Sequence, residues 1–110
     1  MITTLEFDAV DVRVGEIIAA ELNAGARKPA LVLTIDFGPE LGTRISSAQL
    51  TIHYTPETLR GRRVLAVVNF PPRRVAGVKS EVLVLGVPDE DGAVVLVSPD
   101  RDTPLGGRLF

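Results

Sequence analysis

The residues best suited to chemistry lie in one stretch, Asn69-Phe70-Pro71-Pro72-Arg73-Arg74-Val75-Ala76-Gly77-Val78-Lys79-Ser80-Glu81. Two prolines fix φ and reduce the loop's freedom, so the arginines after them lose less entropy on meeting a ligand. Guanidinium groups suit bidentate phosphate contact, Lys79 adds a mobile point charge, and Ser80 can donate to a phosphate or a 2′-hydroxyl. The plain alternative is a solvated hairpin whose arginines pair with carboxylates elsewhere. A second polar stretch, Ser46-Ser47-Ala48-Gln49, falls where a strand should be half buried. It reads either as a small-residue edge strand or as a floor of hydrogen-bond donors and acceptors. Asn69, at the end of an apolar run, either satisfies loop backbone or faces the same ligand. Ser46 or Ser47 with His53 would make a nucleophile pair, but it would need an orienting acid, an oxyanion hole and a helix or elbow context, and no elbow motif is present. With no cysteine and one histidine, thiolate sites, disulfides and multi-histidine metal sites are excluded. No cofactor is expected, and no enzymatic activity.

Charge distribution sharpens the phosphate reading. The net charge of −2 alone argues weakly against a nucleic-acid binder. Yet Arg60, Arg62, Arg63, Arg73, Arg74 and Lys79 lie in a window without an acidic residue, while the remaining 90 residues carry six basic and 14 acidic side chains. The chain is an acidic body with one basic segment, and a phosphate responds to the local field. No purely apolar run exceeds five residues, far short of a membrane span. The opening MITTLEFD has neither the basic nor the apolar region of a signal peptide, so the expected location is the cytoplasm.

Positioning these residues requires strands. Val10, Val12 and Val14 alternate with polar neighbours, and the parity breaks after Gly15, which suggests a bulge or bend at that glycine. Leu31 to Phe37 alternates again and ends at Gly38-Pro39. A weaker strand runs from about Arg44 to Thr51. Val64 to Phe70 and Glu81 to Val87 are near-continuous apolar runs, expected to be central and buried. Asp89-Glu90-Asp91-Gly92 is a turn, with Ala93 to Val97 returning. Thr3 and Glu6 have capping-box spacing, and Thr55-Pro56-Glu57 starts a short helix that Gly61 stops. At 110 residues the chain is one domain, 1–110. These elements predict an all-β fold, a five-stranded OB-fold β-barrel with short helices and added terminal strand elements. A split β-sandwich is the rival.

The motifs Asp11-Val12-Arg13-Val14-Gly15-Glu16-Ile17, Ile35-Asp36-Phe37-Gly38, Ser46-Ser47-Ala48-Gln49 and Val67 through Gly86 closely resemble the CsaA family. These are free-standing tRNA-binding domains, also described as export-related chaperones, related to the C-terminal appendix of methionyl-tRNA synthetases. The resemblance covers nearly the whole chain, and the block from Asn69 to Glu81 is its most specific part. It implies an OB-fold, homodimerisation and non-catalytic binding of tRNA by shape. Matched residue by residue, it places the tRNA-binding site on Ser46, Ser47, Gln49, Asn69, Arg73, Arg74, Lys79 and Ser80. The acidic tip from Val87 to Gly92 departs from what a phosphate site wants, and is expected to lie away from it.

Of the five aromatic residues, Phe7, Phe37 and Phe70 read as core. That leaves Tyr54 and Phe110 as possible stacking platforms, so contacts to backbone and 2′-hydroxyls of a folded RNA are expected instead. The alternative function is a peptide-binding, export-related chaperone using the same groove through Val75, Ala76 and Val78. The apolar residues Ile2, Leu5 and Phe7, and the terminal Leu109 and Phe110, are the candidate dimer surfaces.

Overall fold

The computed structural model describes all 110 residues. Helix α1 (Thr4–Asp8) is fixed by the expected capping box: Glu6 N–H donates to Thr3 Oγ1 at 3.2 Å, and Thr3 N–H to Glu6 Oε1 at 2.9 Å. It buries none of its residues. Strand β1 (Val12–Leu22) is the spine of the barrel. β2 (Leu31–Asp36) and β3 (Thr43–Ala48) follow, then α2 (Pro56–Leu59) and β4 (Arg63–Val67). The hairpin β5 (Arg73–Val75) and β6 (Val78–Ser80) stands apart as a two-stranded ribbon. Strand β7 (Leu83–Val84) returns to the main sheet, and β8 (Gly86–Pro88) with β9 (Val94–Leu96) forms a second ribbon.

The main sheet is antiparallel in the order β3-β2-β1-β4-β7. β1 pairs through its first half with β4, Val12 opposite Val67, and through its second half with β2, Leu22 opposite Leu31. The barrel closes between β3 and residues 80–82, largely through side chains. Glu81 N–H donates to Ile45 O at 2.8 Å, Ile45 N–H to Glu81 Oε1 at 3.0 Å, and Ser47 N–H to Ser80 Oγ at 3.1 Å. Ile17, Leu33, Ile35, Phe37, Leu59 and Val64 fill the interior, all nearly inaccessible. The chain's last segment lies along the stretch of β1 that β2 does not cover: Gly106 N–H donates to Val14 O, and Leu109 N–H to Val12 O. No helix is long and apolar enough to cross a membrane.

Three expectations are corrected. The register of β1 slips between Ile17 and Ala19, so the extra residue is Ile18 and not Gly15. Ile17 is fully buried while Ile18 is 41% exposed, which is how a bulge absorbs two adjacent apolar residues. Gly15 has no positive φ; it is small because a Cβ there would lie 2.5 Å from Ile35 Cγ2 and 2.8 Å from the Phe37 ring. Glu81 to Val87 is not a central strand either. Only Leu83 and Val84 pair with β4, and Leu83 and Gly86 to Pro88 are exposed. Finally, β4 ends at Val67, and Phe70 lies beyond it, 52% exposed.

Candidate nucleic-acid interface

A groove of about 1030 Å³ opens over the end of β3. Its floor includes Ser47, Ala48 and Gln49. One wall is the β1–β2 loop, which contributes Arg27 and Lys28; the other contains Phe70, Pro71, Arg73, Val75 and Ser80. The loops meet where Asn23 Nδ2 donates to Ala76 O at 3.3 Å. In barrels of this kind the first hairpin loop, the later hairpin and the face between them are the surfaces that hold oligonucleotides.

The β5–β6 hairpin turns through Ala76 (φ 50°) and Gly77 (φ 82°), left-handed at both positions as a two-residue type I′ turn requires. Its register pairs Arg73 with Ser80, Arg74 with Lys79 and Val75 with Val78. Alternation along a strand then separates the basic residues. Arg73 and Ser80 face the groove; Arg74 and Lys79 project from the opposite face. Arg74 and Lys79 are directly opposed like charges, an arrangement that costs stability unless an anion lies between or beside them. The ion pairs of the chain are made by Arg13, Arg63, Arg108 and His53. Arg27, Lys28, Arg73, Arg74 and Lys79 therefore have no carboxylate partner, although the chain is acidic.

The expected site residues divide accordingly. Ser47, Gln49, Arg73 and Ser80 come together in the groove. Arg74 and Lys79 sit on the outer face of the same hairpin. Ser46 is 1% exposed, and its hydroxyl donates to Val82 O at 3.0 Å, so it closes the barrel beneath the groove and does not reach its surface. Asn69 is exposed, but its amide holds the α1–β1 turn: Oδ1 accepts from Asp11 N–H at 3.0 Å and Nδ2 donates to Ala9 O at 2.8 Å. It does not line the groove. Arg27, Lys28 and Phe70 line it and were not singled out by the sequence reading. The signal for the first two was their place in the loop between the first two strands, Ala24 to Pro29.

The rest of the basic window serves other ends. Arg63 pairs with Glu16 at 2.8 Å and donates to Thr103 O, and Arg62 lies 5.2 Å over the Tyr54 ring. Tyr54 is no free platform, since its hydroxyl also accepts from Leu96 N–H at 3.0 Å. His53 bonds to Asp89, Nε2 to Oδ2 at 2.6 Å, and to neither serine. That hydrogen bond, with those from Ala93 and Asp91 backbone N–H, holds the Asp89 carboxyl below its ordinary pKa. None of the acidic tip from Asp89 to Asp91 lines the groove.

The tRNA binding domain family (tRNA_bind) matches residues 12–108. The chain belongs to this family. Among solved structures it is similar to the chaperone CsaA from Bacillus anthracis, with 51% identity, a TM-score of 0.94, and coverage of 100% of this chain and 99% of that one. The CsaA chaperone protein from Picrophilus torridus gives 44% identity and a TM-score of 0.92 over 100% of both chains. Among curated proteins, the methionine–tRNA ligase of Flavobacterium johnsoniae is 36% identical over 104 residues, 94% of this chain but 14% of the ligase. The chain thus spans a small part of the ligases it matches. The all-β barrel expected from the strand pattern is the fold these CsaA structures share.

Proposed function

We propose that this tRNA-binding-family chain is a non-catalytic cytoplasmic homodimer that binds folded tRNA in the groove and along the outer face of the β5–β6 hairpin. One observation carries the reading: five cations without carboxylate partners are gathered on two loops of an acidic chain. A polyanion neutralises them and releases counterions, and a body of the same sign as RNA repels it everywhere else. Ser47, Gln49 and Ser80 supply hydroxyl and amide groups between the cations, suited to 2′-hydroxyls and unpaired base edges.

Support for the dimer comes from α1 and the chain's end. Ile2, Leu5, Phe7, Val10, Leu109 and Phe110 are all exposed. The Arg108 guanidinium donates to Asp8 O at 2.6 Å, so the two segments lie side by side, and Leu109 and Phe110 line a hollow of about 340 Å³. Exposed apolar residues of this kind suit association. Light scattering at micromolar concentration is expected to give twice the protomer mass of 11.8 kDa, and Phe7→Asp to halve it. A monomer at that concentration removes the dimer.

A second reading, peptide binding, is favoured by Phe70 and Leu83, both about half exposed in the groove, and by the chaperone name of the similar structures. Salt separates the two. Affinity for a tRNA transcript should fall steeply with salt, whereas affinity for an apolar peptide should hardly change. Tight peptide binding without measurable tRNA binding would replace the first reading by the second.

A further inference from the structure

Phe70 is the one aromatic side chain in the groove. Its ring is half in water and shares the lining of the groove with Arg27, Lys28 and Arg73; the one carboxylate there, Glu81, is held by the Ile45 N–H. An exposed apolar plane among unpaired cations matches a ligand that has both a flat face and closely spaced anions. Paired RNA offers the anions but hides its base faces in the helical stack. An apolar peptide offers a hydrophobic surface but leaves the cations unused. An unpaired nucleotide offers both at once. The volume, at the top of the usual range of about 300–1,000 Å³ for small-ligand pockets, admits a short single-stranded segment.

From this geometry we infer that the groove holds an unpaired stretch of the tRNA, with one base stacked on Phe70, its flanking phosphates on Arg27, Lys28 and Arg73, and its edge against Ser47 and Gln49. The inference rests on the tRNA-binding reading and adds which part of the RNA enters the groove. Paired segments contact only Arg74 and Lys79 on the outer face of the hairpin. It also revises the aromatic accounting, which places Phe70 in the core and leaves no platform at the site.

The chain contains no tryptophan, so Phe70→Trp places a single fluorophore at the platform. Three probes are titrated against it: a tRNA transcript, a short unstructured RNA oligonucleotide and a blunt RNA duplex. Stacking predicts quenching by the first two and none by the duplex. In parallel, Phe70→Leu should weaken both tRNA and the oligonucleotide by about five- to 150-fold, the range of a single base–aromatic stack. Because no charge changes, the dependence of log K on log salt should keep its slope. Wild-type affinity in Phe70→Leu, or equal quenching by the duplex, overturns the stacking inference while leaving tRNA binding in place. Absence of tRNA binding by the unsubstituted chain removes both. Quenching by an apolar peptide but by no RNA gives the groove to the peptide and overturns the inference as well.

Discussion

Replacing Arg27 and Lys28 with alanine removes two of the three cations lining the groove and leaves the β5–β6 hairpin intact. Both residues are exposed and in no ion pair, so the barrel should melt as before. Each phosphate contact adds about 0.7 to 0.9 to the steepness of log K against log salt, the lower value for single strands. With five contacts, affinity should drop roughly 130- to 500-fold between about 50 and 200 mM salt; with three, roughly 20- to 40-fold. The assay is fluorescence anisotropy of labelled tRNA at a series of salt concentrations. Arg60→Ala with Arg62→Ala is the comparison, because neither residue lines the groove. An unchanged slope for the Arg27/Lys28 variant, with its melt intact, refutes the assignment of the β1–β2 loop. A shallower slope for the Arg60/Arg62 variant instead moves the surface to the end of α2.

Gly15→Ala should destabilise the barrel by roughly 1–3 kcal/mol through overpacking, since the new methyl would meet Ile35 and the Phe37 ring at 2.5 and 2.8 Å. The thermal midpoint should fall by about 4–8 °C for each kcal/mol; an unchanged midpoint means the core moves aside. Asn69→Ala removes the bonds to Asp11 and Ala9, each worth on the order of 1 kcal/mol, and should lower the midpoint while leaving the affinity for tRNA at fixed salt unchanged. Weaker binding by the folded variant would place Asn69 in the interface. Asp89 has its pKa lowered chiefly by the hydrogen bond to His53. Its stabilising contribution is therefore complete above its ordinary 3.8 and is lost as pH falls through the lowered value. Asp89→Asn should be less stable than the parent near neutrality, and the gap should close in acid; a gap independent of pH contradicts that origin.

The strand pattern is legible because alternation in β2 and at the start of β1 follows the pleat, and the helix starts because Thr3 and Thr55 are N-caps; the pattern leaves a barrel and a split sandwich open, and the resemblance to the CsaA family decides for the barrel. The pattern failed where one-dimensional parity has no physical meaning. Two adjacent isoleucines do not say which turns inward, so the bulge was assigned to the neighbouring glycine. Val64 to Phe70 is apolar except at Asn69, but the strand ends at Val67, and beyond a strand's end the period of two says nothing about which way Phe70 points. The run from Glu81 is apolar because its first half closes the barrel. Its second half forms an exposed ribbon, and composition does not distinguish the two. In the groove, Arg73 and Ser80 are legible as polar groups on a proline-stiffened loop, and Ser47 and Gln49 as a polar stretch where a strand should be half buried. Arg27 and Lys28 are not, because two cations in a short loop do not stand out in a charge count; only folding brings that loop against a hairpin some fifty residues further on.

The hydrogen bond from Asn23 to Ala76 is the only one between the two walls of the groove, and it lies in solvent. A bond of this kind is worth about 0.5–1.5 kcal/mol, close to thermal energy, while the strands beneath are held by full ladders. The aperture is thus set like a calliper with a loose screw: its arms are stiff, and the gap between them yields at small expense. On the proposed reading, RNAs whose local widths differ would enter the same opening at nearly equal free energy. The breadth of what such a groove would accept then depends on one weak latch, which a single substitution at Asn23 could loosen without any change to the barrel that carries it.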